Sequence, residues 1–326
     1  MNLNNKVILI TGGTGSFGQE IVKYLLKFKK IKKIIIFSRD EFKQREMKTK
    51  FNSKKLRFFI GDVRDKNRLS IATINVDFII HAAALKQVDV AEYNPTEFID
   101  TNVIGAKNLI EICTVNKIKK IVSLSTDKAS SPINLYGATK LCSDKLFVAA
   151  NNYIPSTLFS VVRYGNVEGS RGSVIPFFNS IRNKNLFPIT SKEMTRFSLS
   201  LKQSVEMVIW TLKNSVGEEI VVPKIPSYKI MDLVYAFSKK PKIKIIGIRP
   251  GEKIHEELIS KNDSRNTLEL KDYFIILPNQ NLKKENYFKK NFKAKKVKKE
   301  FSYRSDTNKN YLRIKNLEKI IKSFNR

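Results

Sequence analysis

Tyr136 and Lys140 stand four residues apart in the run Leu135-Tyr136-Gly137-Ala138-Thr139-Lys140, which reads as helix. On a helix that spacing puts both side chains on one face, about 6 Å apart at Cβ. An ammonium fixed beside a phenol favours the phenolate, because an opposite charge nearby stabilises the charged form. A Tyr tuned by Lys140 in this way can take a proton from a sugar or alcohol hydroxyl near neutral pH. Just upstream, Thr126, Asp127 and Lys128 follow the apolar run Ile121-Val122, where a strand should end. Open α/β sheets place their chemistry outside the carboxyl ends of strands. Tyr-x-x-x-Lys alone is common on exposed helix faces, so its weight comes from what precedes it in the chain.

What precedes it is an alternation of strands and helices. Residues 6–10 form a short apolar run, followed by Thr11-Gly12-Gly13-Thr14-Gly15-Ser16-Phe17-Gly18 and a helical pattern over 19–28. Glycines between a strand and a helix let the backbone approach a pyrophosphate at the helix N-terminus. Gly12, Thr14, Gly15, Ser16, Phe17 and Gly18 are therefore expected to bind a dinucleotide. The second strand, 33–37, ends in Ser38-Arg39-Asp40-Glu41, with Lys43 beyond. An acidic residue here binds ribose hydroxyls, whereas an arginine accommodates a 2′-phosphate. Arg39 comes first and Lys43 adds to it, which favours NADP over NAD; a plain solvated charge cluster is the other reading.

A third strand, 56–60, closes on Gly61-Asp62-Val63, where Asp62 could accept from the adenine amino group. The fourth, 77–80, runs into His81-Ala82-Ala83-Ala84-Leu85-Lys86, and small residues such as Ala82 permit close approach of a cofactor. His81 reads as packed and hydrogen-bonded rather than catalytic. Residues 95–114 form a long helical pattern carrying Asn102, and 118–125 a fifth strand that reaches Thr126. The alternation predicts an α/β fold, a doubly wound parallel sheet of Rossmann type, with a smaller C-terminal substrate-binding domain. The expected division is 1–165 for the NADP-binding domain, its sheet completed by part of 198–223, and 166–326 mainly for substrate.

Beyond Tyr153 the rhythm changes. A strand over 158–163 leads to Tyr164-Gly165-Asn166-Val167 and Gly169-Ser170-Arg171-Gly172-Ser173. Met194-Thr195-Arg196-Phe197 and Arg249-Pro250-Gly251-Glu252-Lys253 are polar and loop-like. Arginines on such loops suit a diphosphate, which they can clamp bidentately. There are no internal repeats. The Lys/Asn-rich part over 279–299 reads as loosely structured, with room for short strands, and 312–324 as a terminal amphipathic helix.

The chain has 326 residues, 42% of them hydrophobic, enough to bury a core. Cys113 and Cys142, its two cysteines, sit in helix-like patterns, so neither a disulfide frame nor a metal site is expected and a cytoplasmic setting fits. A strand within the first residues leaves no room for a signal peptide, and no apolar run approaches the roughly 18 residues of a membrane span. The net charge of +31 admits nucleic acid or an anionic surface as a partner, or a bias of the whole composition toward Lys, Ile and Asn. The lysines are spread along the chain and no recognition helix accompanies them, which favours bias and no nucleic-acid partner. A positive field assists anionic substrates in either case.

The glycine turn, Asn102 and Tyr136-x-x-x-Lys140 together resemble the extended short-chain dehydrogenase/reductase superfamily. Ser38-Arg39-Asp40-Glu41, Ala84-Leu85-Lys86-Gln87-Val88, Ser125-Thr126-Asp127-Lys128-Ala129, Arg163-Tyr164-Gly165-Asn166-Val167 and Arg249-Pro250-Gly251-Glu252-Lys253 look like the inverting UDP-N-acetylglucosamine 4,6-dehydratases. The resemblance runs from the glycine turn to Tyr303-Arg304-Ser305. Thr-Asp-Lys discriminates: retaining dehydratases carry Thr-Asp-Glu, and 4-epimerases generally lack the Asp and Lys. The resemblance implies internal hydride transfer with loss of water, giving UDP-2-acetamido-2,6-dideoxy-β-L-arabino-hex-4-ulose for surface or flagellin glycans. Tyr136, Lys140, Asp127, Lys128 and Thr126 would be catalytic, with a neutral Lys128 taking the carbon-5 proton and a protonated Asp127 serving the leaving hydroxyl. NADP would also touch Ser38, Val63, Lys86, Tyr136 and Lys140. UDP-N-acetylglucosamine would be held by Lys86, Asn166, Arg171, Gly172, Ser173, Arg196, Arg249 and Glu252, Arg249 being the leading anion clamp. The family also implies a homo-oligomer, a hexamer. A UDP-sugar 4-epimerase or retaining dehydratase of the same superfamily, or a non-catalytic regulator on the same scaffold, are the alternatives.

Overall fold

The computed structural model describes residues 3–170, 172–278 and 281–324. Val7–Thr11 (β1) is buried along its whole length, as a strand covered on both faces by helices must be. Lys33–Ser38 (β2), Leu56–Ile60 (β3), Phe78–His81 (β4), Lys120–Thr126 (β5) and Leu158–Tyr164 (β6) pair with it and with one another, all in parallel. The order β3-β2-β1-β4-β5-β6 reverses direction between β1 and β4, the crevice where open sheets bind ligands.

The sheet does not stop at β6. Ile220–Pro223 (β7) adds to β6 in parallel, and Thr267–Glu269 (β8), Tyr273–Ile276 (β9) and Lys295–Lys296 (β10) extend it antiparallel. The full order is β10-β8-β9-β7-β6-β5-β4-β1-β2-β3, ten strands among the described residues. The helix Leu201–Asn214 opens with a Ser200–Gln203 capping box and covers one face. A second, smaller core gathers Phe178, Phe187, Leu233, Phe237, Leu317 and Ile321. It joins the helices Val174–Ser180 and Ile230–Phe237 to the terminal helix Ile314–Phe324. Among the described residues no helix is long and apolar enough to cross a membrane.

Two local expectations are corrected. The helical pattern over 95–114 is three joined pieces: Pro95–Ile99, a π-helical turn Asp100–Ile104, and Gly105–Asn116. π-turns bulge a helix to re-aim a side chain. Here Asn102 is buried and bonds Leu85 at both backbone N (2.9 Å) and O (3.0 Å), and Thr139 Oγ1 at 3.1 Å. The lysine-rich segment is not loose: Leu282–Phe292 is a helix capped by Asn281, with Phe288 fully buried and Phe292 against Trp210. Phe288 and Phe292 lie one turn apart and supply the apolar stripe that the lysines hide. Residues 279 and 280 lie outside the described part.

Candidate active site

One cleft of 1080 Å³ runs from the glycine turn, past the ends of β4, β5 and β6, to the loop over 249–253. At its dinucleotide end Gly12 has φ +65°, and a Cβ there would lie 2.8 Å from the Ala82 carbonyl oxygen. A Cβ on Gly18 would meet the Gly13 carbonyl oxygen at 2.2 Å, so helix and turn can pack this tightly only at glycine. On Gly15 it would meet only the Gly12 oxygen, at 3.2 Å. The helix Ser16–Leu25 starts at Gly15 with no side-chain cap and no acid in its first turn, which suits an anion.

Arg39 is half-exposed at the end of β2, 3.6 Å from Asp62. Asp62 is also gripped by Arg64, Nε 3.0 Å and Nη2 2.8 Å away, which holds its carboxyl below the usual range despite burial. The Asp40 carboxylate caps the next helix by accepting from Lys43 N at 2.9 Å, and its other oxygen pairs with Lys43 Nζ. Ser38 Oγ accepts from Gln44. Thr14, Ser16, Phe17, Val63, Ala82 and Lys86 line the same cleft. His81 is fully buried, its Nδ1 2.8 Å from Thr11 Oγ1, and burial drives its pKa down to about 3.

The chemical centre lies where β5 ends. A short turn, Asp127–Ala129, throws Asp127 inward, and Asn134 caps the helix Leu135–Ala150 through Gly137 N at 2.7 Å. Gly137 is needed there, since a Cβ would sit 2.3 Å from the Lys128 carbonyl oxygen. Asp127 is 1% exposed; its Oδ1 accepts from Thr126 Oγ1 (2.9 Å) and Lys128 Nζ (3.1 Å), and its Oδ2 has no partner. Burial, reinforced by Glu256, raises the Asp127 carboxyl against the pull of Lys128. It is thus held toward the protonated form, as a general acid requires.

Two electrostatic expectations meet opposing influences in the free chain. Burial pushes Tyr136 up to about 12, and the Lys128 ammonium and the Thr126 hydroxyl pull it down. Burial also lowers Lys140 itself, opposed by Asp144 one turn further along the helix. The surroundings of Lys128 also disfavour its neutral form in the free chain. Burial disfavours its charge, but Asp127 and Glu256 outweigh that and leave the ammonium above its usual range.

The C-terminal loops close the cleft. Arg196 is buried and spent on protein groups: Nη1 donates to the carbonyls of Thr195 (2.8 Å) and Ile254 (3.0 Å), while Nε and Nη2 face Glu256 (3.6 Å) and Glu252 (3.5 Å). Glu252 also accepts from Thr190 Oγ1 at 2.9 Å. Arg249 is exposed, and its guanidinium has no partner among the described residues. Among the described residues Asn166 Oδ1 and Ser173 Oγ are buried without partners, and Gly172 (φ +77°) has nothing near its Cβ position. Arg171 lies outside the described residues.

Sequence reasoning missed Glu256, Asn134 and Asp144. Asp144 continues the Tyr136–Lys140 face by one more turn, a signal present in the spacing. It accepts from Ser125 Oγ at 2.7 Å and faces the buried Arg163 at 3.5 Å. Glu256 had no such signal, because its partners lie far away in sequence.

Residues 8–278 match the family described as "Polysaccharide biosynthesis protein". The chain is 54% identical to the UDP-N-acetylglucosamine 4,6-dehydratase (inverting) of Campylobacter jejuni subsp. jejuni serotype O:23/36, across 98% of each. It is 45% identical to the UDP-glucose 4-epimerase of Rickettsia bellii over 282 residues, 83% of each. Its fold matches the X-ray structure of Pen from Bacillus thuringiensis with a TM-score of 0.91 at 37% identity, covering 100% of this chain and 99% of that one.

Proposed function

This chain belongs to the polysaccharide biosynthesis protein family of the extended short-chain dehydrogenase/reductase superfamily, and from that membership we propose that it is a carbon-5-inverting UDP-N-acetylglucosamine 4,6-dehydratase. The observation that carries this reading is the cluster of Asp127, Lys128 and Tyr136 at the end of β5, in a chain 54% identical to relatives of that name.

The reaction divides among the side chains as follows. Tyr136 Oη would take the proton of the sugar 4-hydroxyl once it has lost its own, a loss that burial opposes and the Lys128 ammonium favours, and Thr126 Oγ1 would bond the same sugar oxygen. A nicotinamide dinucleotide held by the glycine turn and Lys140 would supply reversible hydride chemistry between carbon 4 and carbon 6 and would not be consumed. The ketone at carbon 4 acidifies the carbon-5 proton, which Lys128 Nζ takes in its amine form. The electron pair left at carbon 5 forms the carbon 5–carbon 6 double bond as the carbon 6–oxygen bond breaks. Asp127 gives its proton to the departing hydroxyl, which leaves as water. A solvent-derived proton delivered to carbon 5 from the opposite face would complete the inversion. Asp127 and Glu256 favour the ammonium of Lys128, so a proton would pass from it to solvent before the carbon-5 step.

For the cofactor, we favour NADP. Arg39 offers an exposed guanidinium at the end of β2, whereas Asp40, the residue that would bind ribose hydroxyls, is committed to its helix and to Lys43. Gly12, Gly15 and Gly18 would admit the pyrophosphate and Lys140 the nicotinamide ribose. Arg249 is proposed as the anion clamp on the UDP diphosphate, with Asn166, Gly172, Ser173 and Lys86 nearby; Arg171 is retained as a candidate on sequence alone. The cytoplasm as location, surface-glycan synthesis as context and a hexamer as assembly belong to the same proposal, the last testable by light scattering.

The test is NMR of the product formed from UDP-N-acetylglucosamine in heavy water. The expected product is the 4-keto-6-deoxy sugar of L-arabino configuration with deuterium at carbon 5. Substrate deuterated at carbon 4 should carry its label to carbon 6. A D-xylo product overturns the inverting assignment. The 45% identity to an enzyme named UDP-glucose 4-epimerase favours a second reading, in which the product is the carbon-4 epimer and no water is lost.

A further inference from the structure

Glu256 is 2% exposed in the wall of the cleft and is built into place. Its backbone N donates to Ser305 Oγ at 2.9 Å, and Ser305 N donates back to its carbonyl at 2.8 Å. Glu256 Oε1 accepts from Lys128 Nζ at 3.1 Å across 128 residues of chain, while Arg196 Nε stands 3.6 Å from the same oxygen. Its Oε2 is buried without a partner. A buried ion pair is a poor way to stabilise a fold, because desolvation offsets the attraction. The Lys128 side chain, 21% exposed, nevertheless keeps access to the cleft. The pair therefore sits where it can govern a reacting group.

We propose that Glu256 is a positioning residue for Lys128: it holds Nζ against Asp127 and, opposed by Arg196, sets the pH at which Lys128 becomes the amine that takes the carbon-5 proton. This rests on the reading of the chain as an inverting dehydratase. The charged and titratable groups facing Lys128 and Glu256 are Asp127, Tyr136, Arg196, Tyr228, Lys253 and, beyond it, Glu257. Among them Asp127 and Glu256 retain the proton on Lys128, whereas Arg196 and burial expel it. Lengthening of the Lys128–Glu256 contact would favour release of that proton. Glu256 then needs no contact with the sugar to act.

The experiment is the rate of carbon-5 deuterium incorporation into UDP-N-acetylglucosamine product against pH, with the NADP-loaded enzyme. Activity that needs the amine rises with pH toward a plateau. Glu256→Gln removes the anion, so the rising limb should move to lower pH by about one unit, a tenfold gain well below the limb relative to the plateau. The plateau itself should fall, since Nζ is less well held. Glu256→Asp keeps the charge and should leave the limb near its original pH with a lowered plateau. Arg196→Gln removes the opposing cation and should move the limb upward. That variant decides the matter if Glu256→Gln does not fold. A lowered plateau with an unmoved limb in Glu256→Gln, or an unmoved or downward limb in Arg196→Gln, overturns the proposal. Absence of exchange and water loss in the unaltered enzyme at every pH would instead overturn the dehydratase reading, and this inference with it.

Discussion

Asn134 donates from Nδ2 to the carbonyl of Gly251 at 2.7 Å, across 117 residues of chain. The same side chain caps the helix that carries Tyr136. The loop over 249–253 is thus seated on the first turn of the helix that carries Tyr136. Asn134→Ala should cost about 1 kcal/mol as a lost cap and raise KM for the UDP-sugar while leaving cofactor affinity unchanged. Gly251 has φ +73°, and a Cβ there would lie 2.7 Å from Asn134 Cβ. Gly251→Ala should therefore cost more than about 1 kcal/mol and raise KM as well. Urea midpoints together with steady-state kinetics check both; an unchanged KM would detach the loop from the site.

Division of labour at the end of β5 predicts separable defects. Tyr136→Phe should lower turnover roughly 100- to 10,000-fold with substrate binding nearly intact. Asp127→Asn should still oxidise carbon 4, seen as a rise in bound NADPH absorbance, but should release water slowly. Normal turnover in Asp127→Asn would end the general-acid assignment. Lys128→Ala should abolish carbon-5 exchange with NADP still bound.

Arg39 and Asp40 predict opposite consequences. Arg39→Ala should weaken NADP far more than NAD, since the guanidinium matches a phosphate. Asp40→Ala should lower stability by removing a helix cap, with little change in cofactor preference. Calorimetric titration with both dinucleotides separates the two, and equal loss of NADP and NAD in Arg39→Ala would remove the argument for NADP.

His81 supplies a pH prediction. Its folded pKa, about 3, lies below the ordinary value of 6.5. Between those values the unfolded chain binds more protons than the folded one, so stability is full above about 6.5 and is lost as pH falls toward 3. The slope for one proton approaches about 1.4 kcal/mol per pH unit. The buried carboxyls of Asp127 and Asp144, whose pKa values are raised, act with the opposite sign. Comparing His81→Gln with the parent isolates the histidine: between pH 7 and 5 the parent should lose more stability than the variant. Parallel curves would show that His81 does not titrate on unfolding.

Phe288 tests whether the lysine-rich helix is structural. It is fully buried, so Phe288→Ala should cost about 3–5 kcal/mol by thermal or urea unfolding. Lys289→Ala and Lys290→Ala, on the exposed face, should each stay within about 0.5 kcal/mol.

The strands β1 to β6 were legible because each is a short apolar run between turn residues, and the glycine turn because its spacing has a backbone cause. The face shared by Tyr136 and Lys140 was legible from helical period alone. Their electrostatics were not. Which ammonium acts on Tyr136 depends on burial and on a turn that aims Lys128 inward, neither of which is written in spacing. Glu256 was invisible for the same reason, being brought to Lys128 by Ser305 and Arg196 from other parts of the chain. The helix over 282–292 was obscured by composition: lysines dominate its sequence, but two phenylalanines decide where it packs.

β7 joins β6 through Val161↔Ile220 and Val162↔Val221, and β9 and β8 continue from it. A growing chain emerges N-terminus first. Until the segment with Ile220 has been made, β6 is an edge with unpaired backbone groups and apolar side chains, a template for another nascent copy. Slow translation between Tyr164 and Pro223 would lengthen that exposure, and a fragment ending near 165 would carry it permanently. Pairing of β7 therefore also removes the β6 edge during synthesis and passes that exposure on to β7 until β9 is made.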